Sequence, residues 1–219
     1  MATQMGQRMV FENAKALINN LGYSAAHAKL TQSFLRSEVA LSTSVANYHI
    51  PVLVNDTQAA VRVNEKRLNL QDIFITTELD VFIGIGSATA TDAKLYSYPN
   101  PTVFTTSGAA AALYSIYNGY LNLTINNEQL LPAWSVLRHL FVPQTQGGVG
   151  ITAQTIFPID QINFGEDAAY PVEPGIVMNG AANINFNLTT NGAPAAIQAN
   201  SFICVIQRGI LCQNVTTVK

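Results

Sequence analysis

The sequence predicts a mainly β protein, an antiparallel β-sandwich of jelly-roll type with about eight strands and a short N-terminal amphipathic helix. Three observations predict it. From residue 45 onward, short runs rich in β-branched and aromatic residues recur, separated by turns containing Asn, Gly or Pro. Helical periodicity is confined to the start of the chain and to one stretch of small residues. No strand alternates with a long helix, as parallel-sheet units require. The chain divides accordingly into an N-terminal helix and arm, residues 1–44, and a sandwich, residues 45–219.

Over 9–21, Met9, Val10, Phe11, Ala14, Leu17, Ile18 and Leu21 recur at helical spacing, with Glu12, Asn13, Lys15, Asn19 and Asn20 largely opposite. Gly22 follows where a C-terminal cap belongs. Residues 24–41 admit two readings, a further helix from Ser24 or a strand from Thr31 to Leu41. Tyr48 to Val54 is rich in β-formers, and Pro51 points to a strand edge or a bulge. The strongest strand signal runs from Asp72 to Gly86. Ile73, Ile75, Thr77, Leu79, Val81, Ile83 and Ile85 form one set and Phe74, Thr76, Glu78, Asp80 and Phe82 the other, and a run so long either crosses a wide sheet or bends near Glu78-Leu79.

Ser107 to Tyr117 has the composition of a short helix, with Ser107 as its cap. Tyr120 to Ile125, Asn126-Asn127 and Glu128 to Leu131 spell a hairpin, because Asn tolerates the left-handed backbone of a two-residue turn. Trp134 to Val142 follows, and Ile151 to Ile159 reads as a short strand. Segments 87–92, 144–150 and 165–175 read as loops, the last with two prolines and three acids. Asn183 to Thr189 alternates, with Ile184, Phe186 and Leu188 on one face. Ser201 to Val215 closes the chain as a buried strand, with Gly209 at a bulge or bend.

Composition bears on function. Of 219 residues, 48% are apolar, ample for a core, yet only 11% are Asp, Glu, Lys or Arg. Soluble domains carry about 25%. Asn, Gln, Thr and Ser supply the polarity instead. Burying an ion costs far more than burying an amide that finds a partner, so such a surface is easily desolvated against another subunit. The formal net charge of −2 gives no general attraction to nucleic acid. In the first 36 residues Arg8, Lys15, Lys29 and Arg36 face only Glu12, a mild excess and not a polycationic arm. The N-terminus has no apolar run like that of a signal peptide, and no stretch approaches a membrane span, so secretion by a signal peptide is not expected. Cys204 and Cys212 are expected to be reduced core residues.

Catalytic motifs are missing. There is no Gly-x-Ser-x-Gly elbow and no phosphate-binding Gly-x-x-x-x-Gly-Lys. Gly84-Ile-Gly86 lacks the third glycine of a dinucleotide fingerprint and reads better as small residues at a strand end. His27, His49 and His139 have no second ligand at metal-binding spacing, and His139 reads as a hydrogen-bonded structural histidine. Asp160, Glu166, Asp167 and Glu173 make a solvated acidic loop whose spacing matches no calcium-binding code. Glu78 and Asp80 share a strand face, only loosely like a glycosidase pair. No cofactor and no enzymatic activity are expected.

In Leu68-Asn-Leu-Gln-Asp-Ile-Phe74, Tyr96-Ser-Tyr-Pro-Asn-Pro101, Tyr117-Asn-Gly-Tyr-Leu-Asn-Leu123 and the Thr- and Asn-rich closing strands, the chain resembles viral coat proteins, especially those of bacteriophages. The likeness is diffuse and spread over the whole chain. It implies a jelly-roll capsid subunit, made in a host cytoplasm and located in the virion. Its partners would be copies of itself and other virion proteins, with nucleic acid contacted at most weakly. The missing polycationic arm departs from subunits that condense a genome directly. On this reading Phe11, Leu17 and Ile18 of the helix, Gln144 and Gln146 of the Gly- and Gln-rich loop, and Tyr170 of the acidic loop are the expected subunit contacts. The alternative is a carbohydrate-binding or adhesive sandwich, with Tyr96, Tyr98, Tyr117 and Tyr120 as a sugar platform and Trp134 buried.

Overall fold

Alternation of apolar and polar residues folds the chain into two antiparallel sheets that share one core. The computed structural model describes residues 12–24, 28–50, 68, 70–86, 93–142 and 169–217. Helix α1 covers 12–20. It is followed by β1 (Tyr23–Ser24), β2 (Lys29–Ala40), β3 (Asn47–Ile50), β4 (Ile73–Ile85) and β5 (Lys94–Tyr96). Two single-turn helices, α2 (Ala109–Ala112) and α3 (Tyr114–Tyr117), lead into the hairpin β6 (Tyr120–Ile125) and β7 (Glu128–Ser135). A 3-10 turn, Val136–His139, comes next, then β8 (Tyr170–Asn179), β9 (Ile184–Thr189), β10 (Ser201–Gln213) and β11 (Thr216–Thr217).

One sheet has the order β2-β10-β4-β5, with β8 also pairing β4, and the other has the order β3-β9-β6-β7. β1 and β11 form a small separate ribbon. Setting aside β1, β5 and β11, the sandwich strands pair from the outside in. β2 pairs β10, β3 pairs β9, β4 pairs β8 and β6 pairs β7. This is one long antiparallel hairpin rolled so that successive pairs fall in alternate sheets, which is the jelly-roll topology the turn spacing predicts. Leu35, Val81, Ile83, Ile203 and Val205 of the first sheet meet Tyr48, Ile50, Leu123, Phe186 and Leu188 of the second. Burial of each such side chain contributes about 1.5–3 kcal/mol.

Local chemistry explains most elements. Asn126 and Asn127 both have positive φ, the backbone of a type I′ hairpin turn. Gly192 provides the turn after β9 with φ 84°. The hairpin strand β7 continues to Ser135, so the predicted separate segment from Trp134 is strand end and 3-10 turn. The predicted Ser107 cap does not form: Gly108 precedes α2 and no side chain caps it. β2 resolves the ambiguity at 24–41 in favour of a strand, and the sandwich therefore takes in residues assigned above to the arm.

Two expectations are corrected. Tyr170 to Gly175, read as loop, is the start of strand β8. β8 pairs only β4, so Pro171 and Pro174 sit on an edge, beside an irregularity opposite Thr76 and Glu78, where a missing N–H is tolerated. The single alternating set from Ile73 to Ile85 is also broken. Gly209 and Arg208 of β10 pair with Thr76 and Glu78 of β4, leaving Thr77 as a bulge that reverses the alternation. Phe74 and Thr76 turn toward the core, while Ile73 and Ile75 turn outward with Ile210 and Cys212. Gly209 is required at the bulge because a Cβ there would collide with the Ile75 carbonyl oxygen.

The predicted strand at 151–159, His27, and the loops at 87–92 and 144–150 lie outside the described residues. No helix among the described residues is long and apolar enough to cross a membrane.

Candidate interaction surfaces

The two outer sheet faces differ sharply in charge. On the β3-β9-β6-β7 sheet, the register places outward rows at Asn47–Thr189–Tyr120–Ser135, His49–Asn187–Asn122, and Asn185–Thr124–Gln129. Their inward neighbours Leu188, Leu121, Phe186 and Leu123 are buried. Thus four strands present a face with no Asp, Glu, Lys or Arg. Its side chains bond along and across the sheet: Asn187 Nδ2 donates to Asn185 Oδ1 at 2.9 Å, and His49 Nδ1 lies 3.2 Å from Asn187 Oδ1. Asn122 Oδ1 is shielded from solvent and has no hydrogen-bond partner among the described residues.

The other outer face carries a strip of five charged residues on three neighbouring strands. Arg36 and Glu38 of β2 pair at 2.5 Å, and Arg208 Nε of β10 lies 2.9 Å from Asp80 Oδ2 of β4, with Glu78 opposite Arg208 in the register. The contact to Asp80 is an ion pair off the N–H line, and both Asp80 oxygens lack a well-directed donor. Asp80 is fully buried. Burial pushes its carboxyl up to about 6; the Arg208 charge opposes that rise and Glu78 adds to it. Glu78 and Asp80 do share a face, as the alternation predicts, but Asp80 is held by an arginine within the sheet.

On either side of this strip the same face is apolar. Phe82, Leu95, Phe202, Cys204 and Ile206 form one cluster. The Phe202 ring lies over Gly84, so a Cβ at Gly84 would strike it, and this accounts for the glycine of the Gly84-Ile-Gly86 motif. The other cluster joins Ala14 and Ile18 of α1 to Ile73, Ile75, Ile210, Cys212 and Val215. The helix thus docks on its own subunit. Both cysteines are buried thiols outside any disulfide, as expected, and burial together with the Asp72 charge pushes the Cys212 thiol up to about 12.

A third surface lies where the edge of one sheet meets the edge of the other. Trp134 is the penultimate residue of β7 and Tyr170 starts β8, and their rings meet edge to face at 5.4 Å. Arg138 of the 3-10 turn lays its guanidinium against both, 4.7 Å from the Trp134 centroid and 4.9 Å from that of Tyr170. Beneath them, Trp134 Nε1 donates to Nε2 of the fully buried His139 at 2.9 Å. An indole N–H can only donate, so that histidine nitrogen carries no proton. His139 is the hydrogen-bonded structural residue the sequence suggests, and its role is to orient Trp134.

Of the predicted contact residues, Tyr170 belongs to this corner and is 37% exposed. Leu17 is half-buried and Ile18 fully buried against the subunit's own sheet, so Ile18 is covered before any neighbour arrives. Phe11, Gln144 and Gln146 lie outside the described residues. The sugar platform does not form, because Tyr96, Tyr98 and Tyr117 are buried and only Tyr120 of the four is exposed. Trp134, expected to be buried, is half-exposed at its sheet edge. Sequence reasoning missed the uncharged sheet face as a surface, although its signal, Asn and Thr at alternate positions of 120–125 and 184–189, was present. Among the described residues no cluster of His, Cys, Asp or Glu could hold a metal ion. Comparison with family models, curated proteins and solved structures finds no match.

Proposed function

We propose that this chain is a structural subunit that self-assembles into a protein shell of the viral-capsid kind, using charge-free surface as its contact. The observation that carries the reading is the four-strand outer face without a formal charge. Each amide there offers both a donor and an acceptor, so the face complements a copy of itself or another amide-rich surface. Bringing it out of water strips no ion of hydration.

Size argues for a lattice rather than a tight dimer. Four strands about 4.8 Å apart and about 20 Å long present on the order of 400 Å². A stable interface buries about 800 Å² per partner. Such a contact is weak alone and gains strength when many close a shell. The jelly-roll topology is compatible with this role but also serves unrelated ones, so it supports the fold and not the function by itself.

The carbohydrate-binding alternative loses its platform with the burial of Tyr96, Tyr98 and Tyr117. Electron microscopy and size-exclusion chromatography of the purified protein test the proposal. Particles or concentration-dependent oligomers are expected. A strictly monomeric species at every salt concentration and pH, together with binding on a glycan array, would replace it with the alternative.

A further inference from the structure

The corner formed by Trp134, Arg138 and Tyr170 is built to hold a cation still, with its hydrogen-bonding edge unpaired among the described residues. The guanidinium is positioned by two rings, and one of those rings is fixed from below by His139. The two rings stand at 81° to each other and hold the guanidinium by its central carbon, and neither ring offers an oxygen acceptor to its five N–H donors. Arg138 is exposed, and no carboxylate or carbonyl of the described residues pairs with it. That contrasts with the other two described arginines, Arg36 and Arg208, which are both paired. A preorganised, unpaired fork matches a carboxylate taken in bidentate fashion.

We infer that Arg138 is the receptor for a carboxylate of a second copy of this chain, presented by Glu128 or Glu173. This rests on the assembly proposed above. The choice of occupant rests on charge complementarity. In a protein so poor in ions, Glu128 on β7 and Glu173 on β8 are exposed carboxylates without an ion-pair partner among the described residues. The described residues therefore include one clamped guanidinium and two exposed carboxylates on sheet-edge strands with no ion-pair partner among them. Trp, Tyr and Arg together are also the residue types that dominate the energetics of protein contacts. The bond between subunits runs through side chains, because Pro132 and the irregular pairing near Asn122 interrupt the outer edge of β7 for strand addition.

The experiment compares sedimentation velocity of the wild-type chain, Arg138→Glu, the double variant Glu128→Arg/Glu173→Arg, and the triple variant that combines all three reversals. Circular dichroism confirms that each is folded, and Arg138→Gln serves as a milder variant that removes the charge without reversing it. We expect Arg138→Glu and the double variant each to weaken association by about 30-fold or more, the scale for losing one partner of a desolvated charge pair. The triple variant is expected to recover it. Unaltered association of folded Arg138→Glu and Arg138→Gln would overturn the inference and leave the assembly proposal standing. So would a folded triple variant without recovery, or loss only of binding to an acidic oligosaccharide. A wild-type chain that does not associate at all would overturn both.

Discussion

Asp80 is the residue with the clearest pH signature. Its folded carboxyl is raised from 3.8 to about 6, first by burial and then by Glu78, against the pull of Arg208. A raised carboxyl means that the folded state holds the proton more tightly than the unfolded chain. Stability from this group is therefore fully present below pH about 4 and is lost as pH rises toward 6. The size is on the order of 3 kcal/mol, since a tenfold change in proton affinity is worth about 1.4 kcal/mol. The ΔΔG between Asp80→Asn and wild type, measured by urea unfolding, should change by that amount between pH 4 and pH 7, with the variant gaining relative to wild type as pH rises. A difference independent of pH would show that Asp80 does not titrate in this window.

Glycines at residue scale are equally testable. Gly84→Ala should destabilise by about 1–3 kcal/mol through collision with the Phe202 ring, and Phe202→Ala should relieve the collision. Thermal unfolding of the two single variants and the double variant measures this; additive losses would mean that the two residues do not meet. Such contacts were not legible in the sequence. Gly84 reads as a generic small residue until the register sets it opposite Phe202.

At the scale of elements, what was legible was local. The Asn126-Asn127 turn, the alternation of Ile184, Phe186 and Leu188, and the long strand ending near Ile85 all follow from period and turn chemistry. What was hidden depends on partners distant in sequence. A bend near Glu78-Leu79 was legible, but the reversal of faces at Thr77 was not, because residues on both faces of β4 are buried and the pattern looks the same on either side of it. β8 was hidden by its prolines, which only an edge position allows. The corner of Trp134, Arg138 and Tyr170 exists only once two sheet edges come together.

Helix α1 gives the test at this scale. Its buried side chains Ala14 and Ile18 fill the outer side of the bulged region against Ile73, Ile75 and Ile210. Ile18→Ala should cost about 2–5 kcal/mol, the range for truncating a packed aliphatic side chain. The loss should appear in the unfolding of the single subunit at low concentration. A loss of association with no loss of subunit stability would instead place the helix in a contact between copies.

For the whole molecule, the jelly roll separates two kinds of surface. One outer sheet face bears a charged strip between two apolar clusters, one of them closed by α1, and the outward rows of the opposite face carry amides, hydroxyls and the His49 imidazole but no Asp, Glu, Lys or Arg. The low charge of the sequence leads us to propose contact between copies, and the strand register shows which sheet face carries no formal charge. Composition reports how many ions a chain has, and the fold decides which face goes without them.

The most direct test of that account is sedimentation velocity of wild type beside Asn187→Asp, which puts one carboxylate in the middle of the uncharged face. The account predicts large assemblies for wild type and mostly monomer for Asn187→Asp. Subunit stability should fall by only about 0.5–1.5 kcal/mol, the scale for losing the Asn187 Nδ2 donation to Asn185 Oδ1, so the chain stays folded. Equal assembly of both proteins, or a wild type that stays monomeric at all concentrations, would contradict it.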